Sequence, residues 1–274
     1  MTSDNSTEWY EHRFERDKAS MERSEAHLGL EKAIFAEAMS LLVRLIDAML
    51  TAEDIDDQIQ NINLKHRIAV ANYGFNLLSS AWNDALSGRY HAATDHFRSI
   101  DECPDFLMAL FLDPRLSDDW TDVQGPSIAL IRRRISDGIG ENRRNSAELM
   151  ERMQDVAKPI QPLAHVSVQS IGQYLPLVER EGKRWRVVRL GGAVSHVTLR
   201  LVAIQIATSA VHLLGAAFWA FDDILKVDLD LLRRYAEAVI ARSRALTEQL
   251  QALSSEATDP VAHGIYFASS DELL

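Results

Sequence analysis

Apolar residues recur at helical spacing along most of the chain, and strand-type patterning is confined to one short stretch. This pattern predicts helices at about residues 27–50, 51–87, 90–112, 127–157, 193–225 and 228–253. The stretch "GKRWRVVRLGG" holds β-branched and aromatic residues between glycines, which indicates one arm of a hairpin. We therefore expect an all-α fold, an antiparallel bundle of six or seven helices with at most one short β-hairpin near residues 178–190.

Caps and helix breakers give the expected boundaries. Thr51 or Asp54 is a suitable N-cap for the second helix, and Gly88 is a natural stop for it. Pro104 lies inside the third predicted helix, so we expect a kink or a break there. The fourth predicted region is one helix or two, with Gly138 and Gly140 as its weak point. The domain organisation we expect is a charged N-terminal lead-in (1–25), a single helical domain (26–253) and a C-terminal tail (254–274).

One predicted helix has the length and composition of a membrane span. The segment from Leu201 to Phe221 carries no formal charge, and it is long enough to cross a bilayer as a helix. However, the polar side chains in this segment share one helical face, and a single span offers them no partner in lipid. We therefore expect a buried central helix of a soluble bundle and no membrane partner. The polar residues on this face are Gln205, Thr208, Ser209 and His212.

Composition narrows the class of protein without naming a function. The 274 residues carry a net charge of −11, which argues against a surface that attracts nucleic acid as a whole. Cys103 is the single cysteine, so an intramolecular disulfide and cysteine-based zinc sites are excluded. The N-terminal residues show no apolar signal segment, and with the single cysteine this favours a cytoplasmic protein. No Glu-x-x-His pair is present, so we expect no metal and no cofactor.

A second polar line is found in the stretch "HAATDHFRSIDE". His91, Asp95, Arg98 and Glu102 follow one another at i, i+4, i+7 and i+11, and so share one helical face. One interpretation is a solvated face with ion pairs inside the helix. The other is a polar pocket in the bundle interior, where buried polar groups need partners. We expect the second, an ion-pair network that faces Gln205, Ser209 and His212.

Two further features could carry chemistry. His165 in "PLAHVS" is typical of a structural hydrogen-bonding residue, and could act as a general base if it faced Glu102 or Asp95. A basic cluster is a weak candidate for contact with nucleic acid, with a solvated helix face as the alternative. It consists of Arg132, Arg133, Arg134, Arg143 and Arg144.

The segment "SGRYHAATDHFRSIDECPDFLMALFLDP" resembles a group of uncharacterised bacterial helical proteins. They share a helix that contains Arg-Ser-x-x-Glu and ends in an apolar stretch before Asp-Pro. The matching residues here are Arg98, Ser99, Glu102, Asp113 and Pro114. The resemblance covers residues 57 to 225, and His165 could match a later histidine of that group.

That group is in turn similar to HEPN-like helical bundles, many of which are ribonucleases of bacterial defence systems. The HEPN pattern is an arginine followed closely by a histidine, and Arg89 and His96 have this spacing. Tyr90 replaces the usual polar residue after the arginine. The resemblance implies that Arg89 would stabilise the scissile phosphate and that His96 would be the general base, without a metal.

Two functions remain open from the sequence. The first is a binding or structural protein, or a component of a defence system, with a buried polar pocket. The second is a HEPN-like ribonuclease, for which RNA would be the partner. The sequence names no other partner, and it leaves a homodimer open.

Overall fold

Seven α-helices with defined ends form most of the described chain, as expected for an all-α fold. The computed structural model describes residues 15, 17–51, 61–118, 120, 126–138, 177–180, 183–188, 196–221, 230–254 and 266–269. The helices are α1 (Leu30–Leu50), α2 (Ile62–Leu86), α3 (Tyr90–Asp95), α4 (Phe97–Leu112), α5 (Ile128–Gly138), α6 (His196–Phe221) and α7 (Asp230–Ser254), and Pro114–Ser117 forms a 3-10 turn.

A small sheet accompanies the helices. Strands β1 (Leu177–Arg180) and β2 (Lys183–Val188) pair antiparallel, which confirms the predicted hairpin. Strand β3 (Tyr266–Ser269) pairs parallel to β2, so part of the segment predicted as a tail joins the sheet. Near the other end of the chain, residues 17–25 are helical, and Ser20 and Ser24 are buried.

α6 is the central helix of the bundle. It packs against α1, α2, α4 and α7. Most of its residues are apolar, so it can be covered nearly all round, and the polar groups that this buries lie mainly on one face. Thr198–Phe221 is long and apolar enough to cross a membrane, and 89% of its most apolar window is buried inside the protein. Most of this apolar segment is therefore packed against other parts of the protein.

The outer helices bury one face each. On α1 the buried residues recur at helical spacing and include Ile34, Leu42 and Leu45. The ring of Phe35 on this face stacks on that of Trp82 from α2, with centroids 4.2 Å apart. Glycine allows an unusually close approach at Gly74 on α2, where an added Cβ would lie 2.7 Å from Cδ2 of Leu213.

The second helix begins later than predicted. Its N-cap is Asn61, whose side chain accepts a hydrogen bond from the backbone N–H of Asn63 at 2.9 Å. Thr51 instead ends α1, because its hydroxyl donates to the carbonyl of Asp47 at 2.8 Å. Asp54 lies outside the described residues. The end of α2 agrees with the prediction, since Gly88 adopts a φ of 74° just after the helix.

The third predicted helix is broken at His96, whereas Pro104 lies inside a continuous α4. The Thr94 hydroxyl donates to the carbonyl of His91 at 2.8 Å, and such a side-chain bond competes with the helical ladder. At Pro104 the missing backbone donor is tolerated within α4. The break therefore lies beside this side-chain bond and not at the proline.

A buried arginine fixes the ends of α4 and α6. Arg67 on α2 is only 2% exposed, and its guanidinium donates to the carbonyls of Leu110 and Ala220. These carbonyls belong to the last turns of two helices, where the helical ladder leaves acceptors unpaired and the helix dipole is negative. Asn63, one turn earlier, also donates to the Leu110 carbonyl at 3.0 Å. Arg67 thus holds these two helix ends side by side.

Candidate functional site

The predicted polar line lies on the surface of α3 and α4. His91 pairs with Asp95 at 3.2 Å, and Arg98 pairs with Glu102 at 3.1 Å. The side chain of Arg98 is 84% exposed and that of Asp95 is 59% exposed. The expected network facing α6 is therefore not the one that the structure contains, and the solvated interpretation describes Arg98 and Asp95 better.

The residue of α4 that meets the polar face of α6 is Asp101. The Ser209 hydroxyl donates to Oδ1 of Asp101 at 3.1 Å. Burial raises the pKa of this carboxyl to about 6, and the hydrogen bond from Ser209 opposes part of the rise. Ser209 was therefore predicted on the correct face, but with the wrong partners. The sequence signal for Asp101 is its spacing, four residues after Phe97 and three residues before Pro104, which both lie on the buried face of the helix.

The predicted basic cluster is largely used inside the fold. Arg132 donates to Asp105 on α4 at 3.1 Å, and Arg134 lies 3.5 Å from a carboxylate oxygen of Asp113. These pairs hold α5 against α4 and reduce the positive charge offered to a phosphate. Arg133 is exposed on the same helix. Arg143 and Arg144 lie outside the described residues, as does His165.

The polar face of α6 is mostly buried. Gln205 is 4% exposed and Thr208 is 6% exposed. Among the residues that the structure describes, neither Oε1 of Gln205 nor Oγ1 of Thr208 has a hydrogen-bond partner. Burial lowers the pKa of His212, which favours the neutral imidazole.

The arginine and histidine of the HEPN-like pattern converge on one carboxylate. Arg89 donates to Oδ1 of Asp84 at 2.9 Å, and Nε2 of His96 lies 3.7 Å from Oδ2 of the same residue. Arg89 also pairs with Asp17 at 3.1 Å. The two carboxylates offset the charge of Arg89, which weakens its attraction for a phosphate. The sequence pattern did not reveal Asp84 or Asp17 as partners.

An apolar groove opens where α4, α6 and α7 meet, and we refer to it as the interhelical groove. Its volume is about 420 Å³. Trp219 is 60% exposed at its edge, and the Phe111 ring meets the Trp219 ring edge-on, with centroids 6.4 Å apart. The guanidinium of Arg67 lies 5.7 Å from the centre of the Phe111 ring, and this cation–π contact helps to hold the ring in place. The lining residues are Phe111, Gly215, Phe218, Trp219, Arg233, Ala236, Glu237 and Ile240.

The shape of the interhelical groove follows from the sequence of α6. Gly215 has no side chain, and an added Cβ there would meet no atom within 4 Å. The charged residues Arg233 and Glu237 are exposed on the α7 side, whereas Ala236 between them is buried. Apolar and aromatic walls with a few polar groups at the edge are common in sites for small molecules.

Among the described residues, no group of three or more His, Cys, Asp or Glu side chains is arranged to hold a metal ion. Comparison of the chain with protein-family models, with curated proteins and with solved structures finds no match.

Proposed function

We propose that this chain is a binding protein whose ligand occupies the interhelical groove. The observation that carries the proposal is an apolar groove of about 420 Å³ with a half-exposed tryptophan at its edge. Small-molecule sites have volumes in this range and are lined mainly by apolar and aromatic side chains. Large exposed apolar surfaces on soluble proteins commonly mark binding sites.

The charged side chains singled out from the sequence are mostly engaged in ion pairs, which favours the interhelical groove as the binding site. The polar line on α3 and α4 forms ion pairs in contact with solvent, and such pairs contribute little binding energy. Arg132 and Arg134 are paired with carboxylates of α4 and of the residue that follows it. The interhelical groove, in contrast, presents apolar surface that is open to a ligand.

Dye binding to groove variants tests the proposal. An anilinonaphthalene sulfonate dye should fluoresce in the wild-type groove, and Gly215→Leu should weaken its binding about tenfold or more by filling the groove. The new side chain would project into open space, so the core should remain intact. Gly29→Leu is the matched control, because Gly29 precedes α1 and a Cβ there also meets no atom within 4 Å. Equal dye binding by all three proteins would refute the proposal.

A HEPN-like ribonuclease is the second candidate function. The observation that favours it is the convergence of Arg89 and His96 on Asp84. A carboxylate beside Nε2 can orient an imidazole and leave Nδ1 free to accept a proton from a 2′-hydroxyl. Under this proposal RNA is the substrate, and no metal takes part in cleavage.

An RNA-cleavage assay tests this second candidate. His96→Ala should abolish cleavage of single-stranded RNA, whereas His91→Ala should retain it. His91 is a suitable control because it is also a partly exposed histidine paired with a carboxylate, one and a half turns away. Absence of cleavage by the wild type, or equal cleavage by both variants, would remove the assignment.

The wider setting of the protein belongs to the same proposal. The likeness of residues 57 to 225 to bacterial helical proteins supports a role in bacterial defence. The single cysteine supports a cytoplasmic location. A homodimer is the assembly that we would test first, by sedimentation equilibrium.

A further inference from the structure

Two aromatic rings form a corner at the edge of the interhelical groove. Phe111, near the end of α4, and Trp219, in the last turn of α6, both line the groove, and their ring planes lie 80° apart. The Trp219 side chain is 60% exposed, so it keeps surface that a ligand can cover. Two rings at this angle can contact one small group from two directions.

The faces of aromatic rings attract cations and disfavour anions. The π-electrons give each face a negative electrostatic potential. An ammonium group within about 6 Å of a ring centre is attracted by this potential, most strongly when the ring is that of tryptophan. Phe111 already has such a neighbour inside the fold, because the Arg67 guanidinium lies 5.7 Å from its ring centre. Walls that include Phe111, Phe218 and Trp219 therefore favour a cationic ligand over an anionic one.

The carboxylate of Glu237 adds a negative charge to the rim of the groove. Glu237 is exposed on α7, one turn after Arg233, and it has no ion pair within the described part of the chain. Arg233 also lines the groove and would oppose a bound cation, but it already takes part in an interaction within the protein. The net charge of −11 further favours the approach of cations. Glu237 is thus suited to pair with a positive charge on a ligand.

We infer that the interhelical groove binds an organic cation, with a substituted ammonium group against the Trp219 and Phe111 rings and Glu237 as its counter-ion. The inference rests on the proposed binding function and adds the chemical class of the ligand. A fully methylated ammonium suits this setting better than a primary one, because it gives up no hydrogen bonds to water when it enters an apolar groove. The open space over Gly215 would receive the apolar body of the ligand.

Titrations followed by ligand-observed NMR measure the preference for charge. The probes are benzyltrimethylammonium, N-benzylacetamide and benzylsulfonate, which share a benzyl group and are positive, neutral and negative respectively. Benzyltrimethylammonium should bind the wild type about three- to tenfold more tightly than N-benzylacetamide, and benzylsulfonate should bind most weakly.

Two substitutions with matched controls test the residues. Glu237→Gln should weaken benzyltrimethylammonium binding about two- to fivefold and leave N-benzylacetamide binding unchanged. Glu248→Gln should change neither, because Glu248 is exposed on the same helix but is not among the residues that line the groove. Trp219→Leu keeps apolar surface without the ring, so it should remove most of the preference for the cation. Tyr235→Leu, an exposed aromatic residue of α7 outside the groove lining, should preserve that preference.

The outcomes separate this inference from the proposed function. If Gly215→Leu blocks every probe but the wild type binds all three equally, or binds benzylsulfonate most tightly, the groove is a binding site and the inference about charge is wrong. Equal weakening by Glu237→Gln and Glu248→Gln would also overturn it, because the attraction would then come from the net charge of the protein. If the wild type binds no probe, or if Gly215→Leu changes none, the groove is not the site and both proposals fail.

Discussion

Replacing Asp101 by asparagine should make the protein more stable at neutral pH. Asp101 lies between α4 and α6, where burial raises its pKa from 3.8 to about 6. Asp105 and Glu102 on the same helix add to the rise, while the Ser209 hydroxyl and the Arg132 guanidinium oppose it. The folded protein therefore binds this proton more tightly than the unfolded chain does.

The sign and the size of the effect follow from linkage. A raised pKa means that the contribution of the group to stability is fully present below pH 3.8 and is lost as the pH rises through about 6. A shift of about two pKa units corresponds to about 3 kcal/mol, so the charged carboxylate costs up to that much at neutral pH. Asparagine has the same shape, stays neutral, and keeps an oxygen to accept the hydrogen bond from Ser209.

Urea unfolding followed by circular dichroism, repeated across the pH range, measures this cost. The free energy of unfolding of Asp101→Asn minus that of the wild type should rise by about 2 to 3 kcal/mol between about pH 4 and pH 7.5. Asp95→Asn is the matched control, because the Asp95 side chain is 59% exposed and its difference should stay nearly flat. A flat difference for Asp101→Asn, or a loss of stability at neutral pH, would refute the reasoning.

Two further predictions concern a buried arginine and an exposed one. In both cases the free energy of unfolding is measured by urea denaturation. Arg67→Met should cost about 2 to 4 kcal/mol, because it leaves the Ala220 carbonyl in the core without its guanidinium partner. A loss below about 1 kcal/mol would mean that this buried arginine contributes little to holding the helix ends. Arg98→Ala should cost less than about 1 kcal/mol, since its side chain is 84% exposed. A loss of several kcal/mol would instead favour the buried network expected from the sequence.

Helical spacing predicted the bundle because the period of a helix is a local property. The spacing of apolar residues in α1 and α6 is regular enough to predict both helices from the sequence. The end of α2 was predictable as well, because Gly88 can adopt the positive φ that follows the helix. The hairpin of β1 and β2 was also predictable, since short-range pairing needs only nearby residues. These elements depend on contacts within one segment.

The polar line shows where the sequence was insufficient. Arg98 and Asp101 are three residues apart on α4, yet one points into solvent and the other bonds to Ser209. Three residues turn the helix by about 300°, so the two side chains point only about 60° apart, and a small rotation of α4 decides which of them is buried. The side of α4 that faces inward depends on how α4 packs on α6, and this packing cannot be read from the sequence of α4 alone. The break at His96 was missed as well, since no glycine or proline marks it between Tyr90 and Phe97.

The sequence by itself determined the helices, the burial of α6 and the presence of polar groups on its face. Only the tertiary structure decided which charged side chains are buried and which meet water, because burial depends on how the helices pack against one another. Arg67 is buried since its acceptors are carbonyls at the ends of two other helices. The interhelical groove likewise needs Phe111, Gly215 and Ala236 from three helices, and it exists only once they pack together.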